Sequence, residues 1–195
     1  MYKRQTGTLL AGTSGWWVAY VGYLILLAAT SIERFIELGV SVRNARWAFA
    51  QGGRESGRGH FPLMVALHTG LIAACALEPL LGGRPFIAGL AIPALVLALA
   101  SQGLRWWCIS TLGRRWNTRI VVVPGLPLVR TGPYRLLPHP NYVAVVLEGI
   151  ALPLVGSAWL TAAVFTVLNA VLLLGFRIPA EERALAAAPV EEPAR

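Results

Sequence analysis

The chain contains no aspartate, one lysine (Lys3), two cysteines and three histidines among its 195 residues. Charged residues make up only 13% of it, against about a quarter in soluble domains, which excludes an ordinary soluble fold. Cys75 and Cys108 are too few for a disulfide framework and, with so few histidines, give no zinc spacing; both read as small core residues. Neither a Walker loop nor a GxGxxG run occurs, so a metal or nucleotide-phosphate site is unsupported. Internal repeats are absent, and the one biased stretch is an Ala/Pro/Glu tail after about 186, expected to fray.

What is present is apolar. Hydrophobic residues form 56% of the sequence, and the mean hydropathy is +0.61. A bilayer core of about 30 Å takes about 20 helical residues. Runs of that kind fall at about 16–38, 62–81 and 86–109, and a longer one extends from about 141 to 177. The last is too long for one span and is divided near Pro153–Gly156, so it reads as a helical hairpin. The expectation is an all-α integral membrane protein of five spans in one structural unit. Three N-terminal spans occupy 1–109, and an irregular cofactor-binding segment, the hairpin and a C-terminal helix occupy 110–195.

The net charge of +8 rests almost wholly on arginine. Nucleic-acid binding would need a soluble basic face, whereas these arginines lie between apolar runs, where they set topology and meet anionic lipid headgroups. Segments 39–61, 110–140 and 177–195 hold Arg43, Arg46, Arg54, Arg58, Arg114, Arg115, Arg119, Arg130, Arg135, Arg177, Arg183 and Arg195. The opposite segments hold Lys3, Arg4 and Arg84. The bias predicts an outer amino terminus and a cytoplasmic carboxyl terminus in a bacterial inner membrane. A cleaved signal peptide ending near "LLAATS" is the competing reading. Its apolar region would be long, and the charged "ERFIE" follows at once, so a retained span is expected.

Segment 110–140 is rich in Arg, Gly and Pro, with a β-branched run at 120–123, and is no single regular helix. It ends in "HPNY" at 139–142, where Pro140 suits a first helical turn. Asn141, Val145 and Glu148 then share one helix face, which puts Glu148 about two turns inside the apolar run. An intramembrane acid is a functional candidate, with partnership to a buried arginine the structural alternative. At the other end of the hairpin "FRIPAEER" places Arg177 before Pro179, which is expected to stop one helix and open another with Glu181 and Glu182 in its first turn. Hairpin geometry would return 177–182 to the membrane face that carries 134–142. Glu33, Arg34 and Glu37 read as an ion-pair belt, and His68 as a packed histidine.

These features resemble the isoprenylcysteine carboxyl methyltransferase family, within the wider group of integral-membrane methyltransferases. The resemblance rests on "LV" at 128–129, "GPY" at 132–134, "HPNY" at 139–142 and "RIPAEE" at 177–182, and covers about 126–185. It implies methyl donation from S-adenosylmethionine. The implied cofactor contacts are Arg119, the wall Leu126, Pro127, Leu128 and Val129, then Tyr134, His139, Pro140, Asn141, Tyr142, Glu181 and Glu182. Arg177 falls on the family's substrate-side arginine, and His139 or Glu148 is the candidate base for an acceptor that needs one. The family usually has arginine where Pro138 stands and often histidine where Leu126 stands; Arg135 is a possible substitute for the former. The implied acceptor is a small lipophilic molecule that enters from the bilayer and carries a hydroxyl or carboxyl, such as an alkylated phenol or pyrone. The alternatives are an NADPH-dependent reductase of the sterol-reductase type, a phospholipid N-methyltransferase and a non-enzymatic scaffold.

Overall fold

The structure is a computed structural model that describes the backbone over residues 3–188 and side-chain surroundings over 15–188. Lys3, Arg4, Arg195 and most of the Ala/Pro/Glu tail therefore lie outside the described side chains. With no water in a bilayer core, each apolar run satisfies its backbone groups internally, as helix. The helices are α1 (Lys3–Ala50), α2 (Phe61–Leu81), α3 (Ala88–Leu112), α4 (Pro140–Val155), α5 (Trp159–Leu172) and α6 (Ile178–Ala186).

Among the described residues, four helical stretches are long and apolar enough to cross a membrane: Gly15–Ala50, Arg58–Leu81, Ala88–Arg115 and Trp159–Ala186. Helix α4 has 16 residues and so rises about 24 Å, short of a full hydrocarbon core. The expected five spans thus become four of spanning length plus a shorter apolar helix. It lies between α3 and α5, with most of its residues buried, which is why its sequence is apolar apart from Asn141, Tyr142 and Glu148. The turn from α4 to α5 passes through Gly156 and Ser157, the latter at φ 58° and fully buried. Two glycines set the packing distances. A Cβ on Gly149 would stand 2.1 Å from Cε1 of Phe165, and one on Gly156 would stand 2.1 Å from Cε1 of Tyr23. Around them Tyr20, Tyr23, Leu27, Leu71, Leu152 and Phe165 form the core.

Glu78 of α2 fixes the start of α5. Its carboxylate accepts from the backbone N–H groups of Leu160 and Thr161 at 3.1 and 2.7 Å and from the Thr161 hydroxyl at 2.7 Å. A carboxylate at a helix N-terminus satisfies orphan donors and meets the positive end of the dipole.

Helix α1 runs about 12 residues past the expected end at 38, because nothing breaks it before Gly52 at φ 79°. Its extra turns hold the irregular segment. Asn44 Nδ2 donates to the carbonyls of Gly113 and Trp116 at 3.0 and 2.8 Å, and Thr118 N donates to Ser41 Oγ at 3.0 Å. A two-stranded antiparallel sheet adds a second anchor: β1 (Arg54–Ser56) pairs with β2 (Ile120–Val122), Glu55 opposite Val121. At the other end, Pro179 does not stop the helix. Residues Leu173–Arg177 form a wide π turn that joins α5 to α6. A proline ring clashes with the carbonyl four residues back in α geometry, and widening the preceding turn relieves that clash.

Candidate active site

A cavity of about 550 Å³ opens at the arginine-rich end of the bundle. One side is the irregular segment, with Arg119, Leu126, Pro127, Leu128, Val129 and Tyr134. The opposite side joins the start of α4 (His139, Asn141, Tyr142) to the α5–α6 junction (Arg177, Glu181, Glu182). Helix α4 begins at Pro140 as expected; that ring is fully buried behind the wall and does not line the cavity.

A hydrogen-bonded chain crosses the floor. Arg177, 4% exposed, donates through Nε to the Tyr142 hydroxyl at 3.1 Å and through Nη2 to the Thr118 carbonyl at 2.6 Å. The Tyr142 hydroxyl in turn donates to Glu181. His139 stacks on the Tyr142 ring at 5.5 Å between centroids, and its Nε2 stands 3.4 Å from Glu182. Each group fixes the next, so the floor is ordered before anything binds. In the wall, burial pushes the Tyr134 phenol up from its ordinary pKa, and the neighbouring Cys108 adds to the effect. It therefore stays protonated and acts as a hydrogen-bonding group.

Several residues of this lining carry polar atoms with no protein partner. Both amide atoms of Asn117, Oδ1 of Asn141 and Nε1 of Trp116 are buried and unpaired. Unpaired buried polar atoms carry a desolvation cost, and a ligand with hydroxyl, amino and carboxylate groups would remove it. Trp116 and Asn117 were not expected from the sequence; the only signal was an amide beside an aromatic within "RRWNTR". Arg119 lines the cavity while lying 3.7 Å from Glu55 and over the Phe61 ring. Pro138 also lines it, whereas Arg135 is exposed and outside the lining, so it does not stand in for the arginine that Pro138 replaces.

Glu148 is elsewhere. It is buried against Arg105 of α3, with Arg34 of α1 at 3.8 Å, in the same cluster as Glu33 and Glu37. The structural alternative for this acid, a buried arginine partner, is the arrangement found. His68 is packed, with Nδ1 2.8 Å from the Met64 carbonyl and its ring edge-on to Phe165. Among the described residues no group of His, Cys, Asp or Glu is arranged to hold a metal ion.

These features define an integral membrane protein with a largely apolar cavity, edged by polar side chains, where an irregular segment covers the ends of its last helices. Residues 94–187 match the model of the isoprenylcysteine carboxyl methyltransferase (ICMT) family. The chain is 38% identical over 164 residues to the uncharacterized protein YpbQ of Bacillus subtilis (strain 168), covering 84% of this chain and 96% of that protein. It is 28% identical over 166 residues to an uncharacterized protein of Haemophilus influenzae, covering 83% of this chain and 93% of that one. No solved structure matches. The chain belongs to the isoprenylcysteine carboxyl methyltransferase family, a family of membrane methyltransferases.

Proposed function

We propose that the protein transfers a methyl group from S-adenosylmethionine to an oxygen of a small lipophilic acceptor. The observation that carries this reading is the convergence of His139, Asn141 and Tyr142 with Arg177, Glu181 and Glu182 around one cavity. Its volume lies within the range of about 300–1,000 Å³ usual for small-molecule sites, and its unpaired amides suit the polar groups of such a donor. When bound, the donor supplies an electrophilic methyl on a sulfonium.

The residues then divide as follows. Glu181 accepts from ribose or amino donors, Arg119 supplies guanidinium N–H groups for the donor's carboxylate, and Arg177 serves the acceptor side. The apolar wall 126–129 excludes water, and the ordered floor holds the reacting groups in line; alignment and dryness supply most of the rate in such a displacement. Because Glu148 is committed to Arg105 and lies off the cavity lining, His139, backed by Glu182, is the base for an acceptor that must lose a proton. We further place the carboxyl terminus in the cytoplasm of a bacterial inner membrane, because the cavity opens among the arginines and the donor is cytosolic. The acceptor arrives from the bilayer.

Calorimetry of purified protein with S-adenosylhomocysteine tests the donor site, and membranes given a radiolabelled methyl donor test the transfer. A labelled lipid-soluble product is expected. Binding of reduced nicotinamide without binding of S-adenosylhomocysteine would move the reading to a reductase.

A further inference from the structure

Glu181 and Glu182 reach the cavity from α6, the least anchored of the helices. It has nine residues, and none of them is fully buried. A helix so short draws its stability from what it packs against rather than from propensity. The π turn from α5 holds its first end. Between one flank of α6 and the connection from β1 to α2 lies a second hollow, of about 370 Å³. Ser56, Gly57 and His60 form one side of it. Gly175, Phe176, Ala180, Arg183 and Ala184 form the other, and the small residues among them leave the gap unfilled. Gly57 stands at φ 68°, and a Cβ there would lie 2.3 Å from Cε1 of His60, so the connection keeps this shape only with glycine.

The charge around the hollow is positive. Arg183 Nε donates to the Pro179 carbonyl at 3.0 Å, and among the described residues no carboxylate pairs with its guanidinium. Arg54 and Arg58, which flank Ser56 and Gly57, are exposed. The acid between them, Glu55, is already shared by Arg58 at 3.0 Å and Arg119 at 3.7 Å. Glu182 turns to His139, on a different flank of α6. Ser56 and His60 add neutral hydrogen-bonding groups to the lining. Position then narrows the anion. Phe176 is 52% exposed and prolongs the apolar outer side of α5, on which Val171 and Leu174 are also exposed. The hollow thus opens where bilayer meets the arginine-rich surface, and a ligand that matches it carries a phosphate beside hydrocarbon.

We propose that this hollow seats the head of an anionic phospholipid and that the seated lipid braces α6. Arg183 and Ser56 donate to the phosphate oxygens, and the acyl chains lie along Phe176. The head joins α6 to the connection opposite, which holds Glu181 and Glu182 toward the cavity. A choline head brings its own cation against Arg54, Arg58 and Arg183, so an anionic head is preferred. The seat stands on its own geometry, whereas the effect of bracing on the methyl donor rests on the methyltransferase reading above.

The test places the full chain in nanodiscs of phosphatidylcholine with or without a minor share of phosphatidylglycerol. Native mass spectrometry reads retained lipid, and calorimetry reads affinity for S-adenosylhomocysteine. One phosphatidylglycerol per chain is expected to be retained, about tenfold more tightly than phosphatidylcholine, and S-adenosylhomocysteine should bind about tenfold more tightly when it is present. Arg183→Gln should remove both effects, and Ala184→Leu, which fills the hollow, should remove lipid retention. Arg43→Gln, an exposed arginine outside the hollow, should change neither. Equal retention of the two lipids overturns the proposal. So does a preference that Arg43→Gln weakens as much as Arg183→Gln, because the general positive surface then explains it. Displacement of the lipid by inorganic phosphate or glycerol 3-phosphate at matched concentration also overturns it, in favour of a soluble phosphate. If Arg183→Gln does not fold, Ala184→Leu decides. Retained lipid with one S-adenosylhomocysteine affinity in both discs overturns the bracing. Retained lipid with no S-adenosylhomocysteine binding in either leaves the seat standing and overturns the donor reading.

Discussion

Replacing Tyr142 with phenylalanine isolates one atom of the cavity floor. The ring keeps its stack on His139 at 5.5 Å; only the hydroxyl that accepts from Arg177 Nε at 3.1 Å and donates to Glu181 is lost. Two effects follow. Arg177, at 4% exposure, keeps a buried N–H with no acceptor, which lowers stability by about 1–3 kcal/mol. Glu181, on the half-open first turn of α6, is no longer held toward the cavity, so a bound donor must reorder it. A hydrogen bond to a charged group is worth about 1.5–3 kcal/mol, which converts to an affinity loss of about 10- to 150-fold. Calorimetric titration with S-adenosylhomocysteine measures it, and a thermal melt of the same sample reports the stability change. A melt lowered by several degrees with donor affinity within about threefold of wild type would refute the reasoning: the hydroxyl would then serve packing alone.

Three further outcomes follow from the same geometry. Glu181→Gln and His139→Ala should each weaken S-adenosylhomocysteine binding by tenfold or more in the same titration, with little change in the melt, because neither side chain is buried in the core. Gly149→Ala should lower stability by about 1–3 kcal/mol, since its methyl would meet Phe165 at 2.1 Å; a melt unchanged from wild type would mean that α4 and α5 are not packed as described. Glu78→Gln should cost about 0.5–2 kcal/mol by the same assay, because three hydrogen bonds at the start of α5 lose their charged acceptor.

How far the sequence could be read depended on whether the deciding physics was local. Apolar run length marks a helix wherever the partners stand, so the runs at 62–81 and 86–109 nearly coincide with α2 and α3. Proline geometry is equally local, and α4 opens at Pro140 for that reason. Pro179 misled because a π turn, a response of the preceding backbone, absorbs the clash without ending the helix. Strands of three residues carry no periodicity of their own. Arg54–Ser56 is a strand only because Ile120–Val122 lies beside it, and no pattern within either run announces the pairing. The extra turns of α1 were missed for a related reason: polar residues such as Ser41 and Asn44 read as loop until their tertiary partners are known.

Glu148 shows how a correct local inference can point to the wrong place. Its depth in an apolar helix marked it as a costly group, and the cost is real. What depth cannot supply is the partner, because Arg105 is 43 residues away in sequence and Arg34 further still. Once those partners are placed, the acid lies off the cavity and joins a ring in which Arg34 Nε, Glu37 Oε1 and Arg105 Nε have no hydrogen-bond partner. The energetic argument that made Glu148 a candidate therefore transfers from one residue to the whole ring.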